Sequence, residues 1–78
     1  MDQEARILKV LQGIKGNDLN PGIDESLFES GLLDSFALTD FVSALEQEFG
    51  ITIPDSDLSA RKFDTIRKVS SYVSAKAS

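Results

Sequence analysis

The stretch SFALTDFVSALEQEFG, residues 35–50, decides the fold of this chain. Its apolar side chains recur every three or four residues, which places them on one face of a helix. They are Leu38, Phe41, Val42, Leu45 and Phe49. Gly50 follows at the position where a left-handed residue commonly ends a helix. The pattern therefore predicts a helix from about Ser35 to Phe49 that buries its apolar face against other helices.

The segment before this helix predicts a second helix, from about Gln3 to Lys15. Asp2 is suited to cap its start, and Gly16–Asn17 is suited to end it. Its inward-facing stripe has helical spacing and consists of Ile7, Val10, Leu11 and Ile14.

The stretch from Asn17 to Asp34 is predicted to be a long loop, which is unusual in a compact domain. Ser26–Glu29 has the spacing of a capping box, which predicts a single helical turn inside the loop. We expect the apolar residues of the loop to enter the core and hold it across the surface. They are Leu19, Ile23, Leu27, Phe28, Leu32 and Leu33.

After Gly50 the sequence predicts a short third helix, from Asp55 or Ser56 to Ala60, with Leu58 pointing inward. A last helix is predicted to start near Asp64–Thr65, because both residues are good helix caps. Its inner stripe is Ile66, Val69 and Val73, with Phe63 and Tyr72 beside it. Its cations are expected outside and toward the C-terminal half, where they suit the helix dipole. They are Arg67, Lys68 and Lys76.

Together these elements predict an all-α fold in a single domain, residues 1–78. We expect three longer helices plus one or two short ones in an antiparallel bundle with a long first loop.

The composition excludes several functional classes. Without Cys and His, the chain lacks disulfides, thiol catalysis, the common zinc sites and the most frequent general base. Neither an apolar run long enough to span a membrane nor a secretory signal is present, so we expect a cytoplasmic monomer. No metal site is predicted. A small enzyme that relies on carboxylates alone is the least favoured hypothesis, because a helical chain of 78 residues rarely encloses a substrate pocket.

Charge is unevenly distributed along the chain, whose net charge is −5. Between Gly16 and Ala60 there are ten acidic residues and no Lys or Arg. An acidic region of this kind repels phosphate backbones, so we expect a basic protein surface rather than nucleic acid as partner. Salt or divalent cations are expected to raise the melting temperature by screening the acids.

The junction between the long loop and the central helix is the best candidate site. Ser35 lies at a helix start, where free N–H groups suit an attached phosphate. Phe36 is predicted on the face opposite the apolar stripe, together with Asp40, Ser43 and Gln47, and could dock a partner. The alternatives are that Ser35 is only a helix cap and that Phe36 folds back under the loop.

These residues resemble a known family. The segment Phe28–Phe36 (FESGLLDSF) resembles the phosphopantetheine attachment segment of acyl carrier proteins, in which an Asp-Ser-Leu signature opens the second helix. Glu46–Pro54 is similar to the end of that helix and the loop after it. Phe63–Thr65, followed by Val69 and Tyr72–Val73, resembles the family's last helix. The resemblance therefore covers nearly the whole chain in order.

The resemblance implies that Ser35, preceded by Asp34, receives a 4′-phosphopantetheine arm from coenzyme A through a phosphopantetheinyl transferase. The thiol of the arm would hold an acyl group as a thioester, and the protein itself would have no catalytic residue. Other implied partners are a ligase or transferase that loads acyl or aminoacyl groups and downstream synthase enzymes. The implied partner-binding residues are Phe36, Asp40, Ser43, Glu46, Gln47 and Ile53.

The leading hypothesis is a carrier in fatty-acid, polyketide or related lipid biosynthesis. Three departures from the fatty-acid members leave room for other cargoes. Phe36 stands in place of the signature Leu, and Ala37 and Gln47 stand where acids are common. The alternatives are a specialised aminoacyl carrier similar to D-alanyl carriers, a peptidyl carrier, or an unmodified acidic helical interaction domain.

Overall fold

The computed structural model describes residues 3–16 and 18–77, and its regular elements are all helical. Asp2 and Asn17, predicted to cap and to help end the first helix, lie outside the described residues. The helices are α1 (Gln3–Lys15), α2 (Ser35–Phe49), α3 (Ala60–Phe63) and α4 (Ile66–Ala77), with a 3₁₀ helix at Asp55–Asp57 before α3. The predicted all-α bundle is confirmed, and the predicted bounds of α1 and α2 are correct.

One core joins the helices, since α1 packs on both α2 and α4, and α3 packs on α4. The predicted stripes of α1, α2 and α4 face this core, with Val10, Ile14 and Phe49 only partly buried at its margin. The buried residues are Ile7, Leu11, Leu27, Leu33, Ala37, Leu38, Phe41, Val42, Leu45, Ile53, Phe63, Ile66, Val69 and Val73. Gly50 adopts the predicted left-handed conformation, with φ 65° and ψ 38°, and its N–H donates to the Glu46 carbonyl.

The long first loop is held to the start of α4 rather than by its apolar side chains alone. Leu27 is buried as predicted, and its N–H donates to the Asp64 carbonyl at 2.6 Å. The Asp64 carboxylate in turn accepts the Ser26 hydroxyl at 2.7 Å and the Phe28 N–H at 3.3 Å. These bonds satisfy polar groups that a loop crossing the core edge would otherwise leave unpaired.

One expectation about this loop is wrong and another is confirmed. Ile23 was expected in the core, but its side chain is 37% exposed. Its backbone explains this, because the Ile23 carbonyl accepts the N–H of Arg67 at 2.9 Å and so fixes the loop at the surface. The predicted single turn at Ser26–Glu29 is confirmed, because the Ser26 carbonyl accepts the Ser30 N–H at 3.1 Å and the Ser26 hydroxyl accepts the Glu29 N–H at 3.0 Å. The chain then bends at Gly31, whose φ is 84°.

The predicted third helix is divided in two. The 3₁₀ helix stops at Asp57, Leu58 is extended and packs at the margin of the core, and α3 starts only at Ala60. The expectation for Arg67 and Lys68 also needs correction. Since α4 begins at Ile66, both cations lie in its first turn, while Lys76 alone lies in the last.

Among the described residues, no helix has the length and apolar character required to cross a membrane.

Candidate functional site

Asp34 forms the cap of α2 and fixes the geometry of the candidate site. Its backbone is extended, with φ −143° and ψ −171°. One carboxylate oxygen, Oδ1, accepts the N–H of Phe36 at 3.0 Å and the N–H of Ala37 at 2.8 Å. The alternative in which Ser35 is only a helix cap is therefore wrong, because Asp34 caps α2 instead.

Ser35 is the first residue of α2, and its side chain is exposed. Within residues 3–16 and 18–77, its hydroxyl makes no hydrogen bond, and only its carbonyl is engaged, by the Thr39 hydroxyl at 3.4 Å. A free hydroxyl at a helix start lies in the partial positive charge of the helix, which stabilises an attached phosphate. The position therefore fits a phosphate ester without displacing any internal contact.

Phe36 projects into solvent and is 87% exposed. The alternative in which it folds back under the loop is therefore wrong. Asp40, Ser43 and Gln47 follow on the same face of α2, and all three are exposed, as predicted. No cation of the described chain lies within 4.0 Å of the Asp40 carboxylate. We call these four residues the α2 outer face; it pairs one large apolar side chain with one uncompensated acid.

Glu46 and Ile53 differ from the other predicted partner-binding residues. The Glu46 carboxylate accepts the Ile53 N–H at 2.7 Å and so fixes the loop after α2. Ile53 is only 5% exposed and belongs to the core. Neither side chain is free on the surface, because one holds the loop and the other fills the interior. The structure thus separates them from the α2 outer face.

The chemistry available at Ser35 is limited by its surroundings. The chain has no His, and the nearest carboxylate in sequence, that of Asp34, is occupied by the helix cap. A serine hydroxyl is a weak nucleophile without an adjacent base. The described residues therefore supply no hydrogen-bonded base that would activate the Ser35 hydroxyl.

The shifted ionisable groups lie away from Ser35, around α3 and α4. The pKa of Asp57 is lowered by its hydrogen bond with Lys62 (2.8 Å) and by a second one from the Tyr72 hydroxyl (2.5 Å). Burial, with help from that bond to Asp57, raises the pKa of Tyr72 to about 12. The pKa of Asp24 is lowered by its hydrogen bond with Arg67 at 2.7 Å. These pairs hold chain segments together and give no sign of a catalytic site.

The hydrogen bonds from Ser26 and Phe28 of the first loop to Asp64 were not predicted from the sequence. Ser26 is predicted to cap a single turn and Asp64 to cap the last helix, whereas the two side chains contact each other across 38 positions of chain. No local sequence signal indicates this contact, because the two residues are 38 positions apart.

Residues 5–73 match the family model described as a phosphopantetheine attachment site. The chain is also similar to curated proteins named D-alanyl carrier protein. That of Lactobacillus acidophilus is 33% identical over 69 residues, covering 88% of this chain and 87% of the relative. That of Leuconostoc mesenteroides is 36% identical over 69 residues, covering 88% of each. That of Streptococcus suis is 33% identical over 73 residues, covering 94% of this chain and 92% of the relative.

Proposed function

Because this chain belongs to the family of carrier proteins with a phosphopantetheine attachment site, we propose that Ser35 is the residue that bears the 4′-phosphopantetheine group. The protein is a carrier with a covalent prosthetic group and not an enzyme. The observation that carries the assignment is the exposed Ser35 hydroxyl at the start of α2, which bonds to none of the described residues and stands beside an acid that caps the helix in its place.

The residues around Ser35 prepare it for modification. Asp34 fixes the first turn of α2, so the hydroxyl is presented in one backbone geometry. The Ser35 oxygen forms the new bond to phosphorus while the pyrophosphate bond of coenzyme A breaks and adenosine 3′,5′-bisphosphate leaves. The Ser35 proton goes to a base on the phosphopantetheinyl transferase, since this chain has no His. When bound, the group supplies a terminal thiol that holds the cargo as a thioester, which a chain without Cys cannot provide.

We propose that the cargo is D-alanine or a similarly small aminoacyl group. The support is the similarity to D-alanyl carrier proteins over nearly the full length of both chains. The fatty-acid hypothesis that led the sequence reasoning is less well supported, and the aminoacyl alternative replaces it. An adenylating ligase for the amino acid is then the loading partner, and the α2 outer face is its docking surface. Phe36 supplies the apolar contact there, and Asp40 supplies the charge.

The attachment is tested by coexpression with a promiscuous phosphopantetheinyl transferase and measurement of intact mass. We expect the mass of one arm to be added to the wild type and to Ser43→Ala, but not to Ser35→Ala. Ser43 is a matched control because it is also an exposed serine on α2. Addition of the arm to Ser35→Ala, or no addition to the wild type, would contradict the assignment of Ser35 as the attachment residue.

The cargo is tested on the modified protein with ATP and a D-alanine-activating ligase, again by intact mass. Loading with D-alanine is expected, together with no loading of long-chain fatty acid by an acyl ligase of broad specificity. Phe36→Ala is expected to slow loading by about tenfold, the effect of losing one apolar anchor. The reverse preference, for fatty acid over D-alanine, would restore the lipid hypothesis.

A further inference from the structure

A groove between α3 and α4 concentrates positive charge on an otherwise acidic protein. It measures about 460 Å³ and is separate from the α2 outer face, with which it shares no residue. The lining residues are Arg61, Lys62, Arg67, Lys68, Ser71 and Tyr72.

Two of the four cations in this groove are compensated within the chain. Lys62 binds Asp57 at 2.8 Å, and Arg67 binds Asp24 at 2.7 Å. Arg61 and Lys68 are exposed, and no carboxylate of the described residues lies within 4.0 Å of either. The groove therefore presents two unbalanced positive charges in a chain whose net charge is −5.

The position of Lys68 is unfavourable for the stability of α4. It lies in the first turn, where the helix dipole favours acids and disfavours cations. Moreover, the Thr65 hydroxyl accepts the Lys68 N–H at 3.0 Å, so Lys68 occupies the third helical position after a capping threonine. A glutamate at this position would complete a capping box. Local stability thus favours the opposite charge, and residues that violate local rules are often kept for function.

We propose that this groove binds a carboxylate-bearing surface segment of an enzyme that loads or unloads the carrier. The proposal rests on the carrier function argued above. The planar guanidinium of Arg61 suits a bidentate carboxylate, and Lys68 adds a second charge beside it.

The overall charge favours a protein over other anionic partners. A membrane surface or nucleic acid is negative over an area larger than the groove, so it also meets the acidic residues of a chain of net charge −5 and is repelled by them, whereas a short acidic segment contacts the groove alone. An enzyme surface can carry both signs, with basic residues toward the α2 outer face and acidic residues toward the α3–α4 groove. An enzyme that contacts both the acidic face and the basic groove binds the carrier in one orientation.

The test uses the unmodified protein and a peptide of six glutamates as probe, followed by backbone amide shifts. We expect saturable shifts at Arg61, Lys68 and Ser71. The variant Arg61→Glu/Lys68→Glu is expected to bind the peptide about tenfold more weakly. The matched control is Lys15→Glu/Lys9→Glu, which changes the net charge equally at exposed positions of α1 and is expected to bind within about twofold of the wild type.

Stability gives the second readout, because Lys68→Glu is expected to raise the melting temperature while it weakens peptide binding. If Lys68 had a purely structural role, Lys68→Glu would lower the melting temperature. That result would overturn the proposal. So would wild-type affinity in the double variant, or an equal response to inorganic phosphate or phosphatidylglycerol vesicles. The peptide binds the unmodified protein, so this test does not depend on Ser35 modification. Failure of the groove proposal can therefore be told apart from failure of the proposed attachment at Ser35.

Discussion

The start of α2 and the α3 corner, residues 55–65, use the same types of side chain in opposite ways. At the start of α2, Phe36 is 87% exposed, and the exposed Ser35 side chain makes no hydrogen bond with the described residues. At the α3 corner, Phe63 is fully buried, and Asp64 binds the first loop. In so small a chain, the corner holds the fold together and the start of α2 is left available for other molecules.

The largest expected effect contrasts the two phenylalanines. Phe63→Ala removes a ring that is 0% exposed and lies 5.1 Å from the ring of Tyr72, so we expect a loss of about 3–5 kcal/mol in the free energy of unfolding. Phe36→Ala is expected to change it by less than about 0.5 kcal/mol, since its ring is exposed. Urea denaturation measures both values. If both variants lost similar amounts of unfolding free energy, Phe36 would be packed against the protein in solution, and the two phenylalanines would not differ in role.

A smaller effect contrasts the two aspartates. Asp64→Ala removes the acceptor of the Ser26 hydroxyl and the Phe28 N–H, so we expect a loss of about 1–3 kcal/mol and faster amide exchange at Leu27 and Phe28. Asp34→Ala removes a helix cap and is expected to cost about 1 kcal/mol, with faster exchange confined to the first turn of α2.

The control for this pair is the asparagine variant at each position, which keeps one side-chain acceptor and should recover most of the loss. Faster amide exchange in the first loop of Asp34→Ala would show that the Asp34 cap also affects the structure beyond the first turn of α2.

The helices could be predicted from the sequence because the signals that start and stop them are local. Gly50 ends α2 through its own backbone, and the outward position of Phe36 follows from its place relative to the apolar stripe. Ile23 and Asp64 could not be placed, because each is fixed by a partner far along the chain. Asp57, where the 3₁₀ helix stops, also has a partner that lies outside its local sequence, because the Tyr72 hydroxyl donates to it from 15 positions along the chain.

Alkaline pH should weaken the α3 corner. The pKa of Tyr72 is raised from 10.0 to about 12, so the folded state holds this proton more tightly than the unfolded state does. Its contribution to stability is complete below about pH 10 and is lost as the pH rises toward 12. Tyr72 is the sole tyrosine and there is no Trp, so tyrosinate absorbance reports this group directly.

Tyr72→Phe is expected to flatten the decline in melting temperature across that range. An ordinary tyrosine titration in the folded protein, near pH 10, would contradict the burial and the bond to Asp57.

The smallest expected effect concerns salt. Several acids of the central region are paired in the fold, including Asp24, Glu48 and Asp57, but Asp40 is not. Screening weakens these pairs and also relieves repulsion among the remaining acids. We therefore expect the melting temperature to rise by about 2–5 °C between low ionic strength and about 0.3 M salt.

Asp40→Asn is expected to reduce this salt response, because it removes an acid without breaking an internal contact. A melting temperature that is flat or falls with added salt would show that the ion pairs outweigh the repulsion.

The bond between the Ile23 carbonyl and the Arg67 N–H has a consequence for the rate of folding. The first turn of α4 obtains one of its hydrogen-bond partners from the long loop, and the adjacent ion pair joins Asp24 to Arg67 across 43 positions of chain. Closing such a segment is entropically costly, and the contacts that repay the cost form only after closure. We therefore expect completion of α4 and closure of the loop to occur together, and the slow step of folding to lie at this junction.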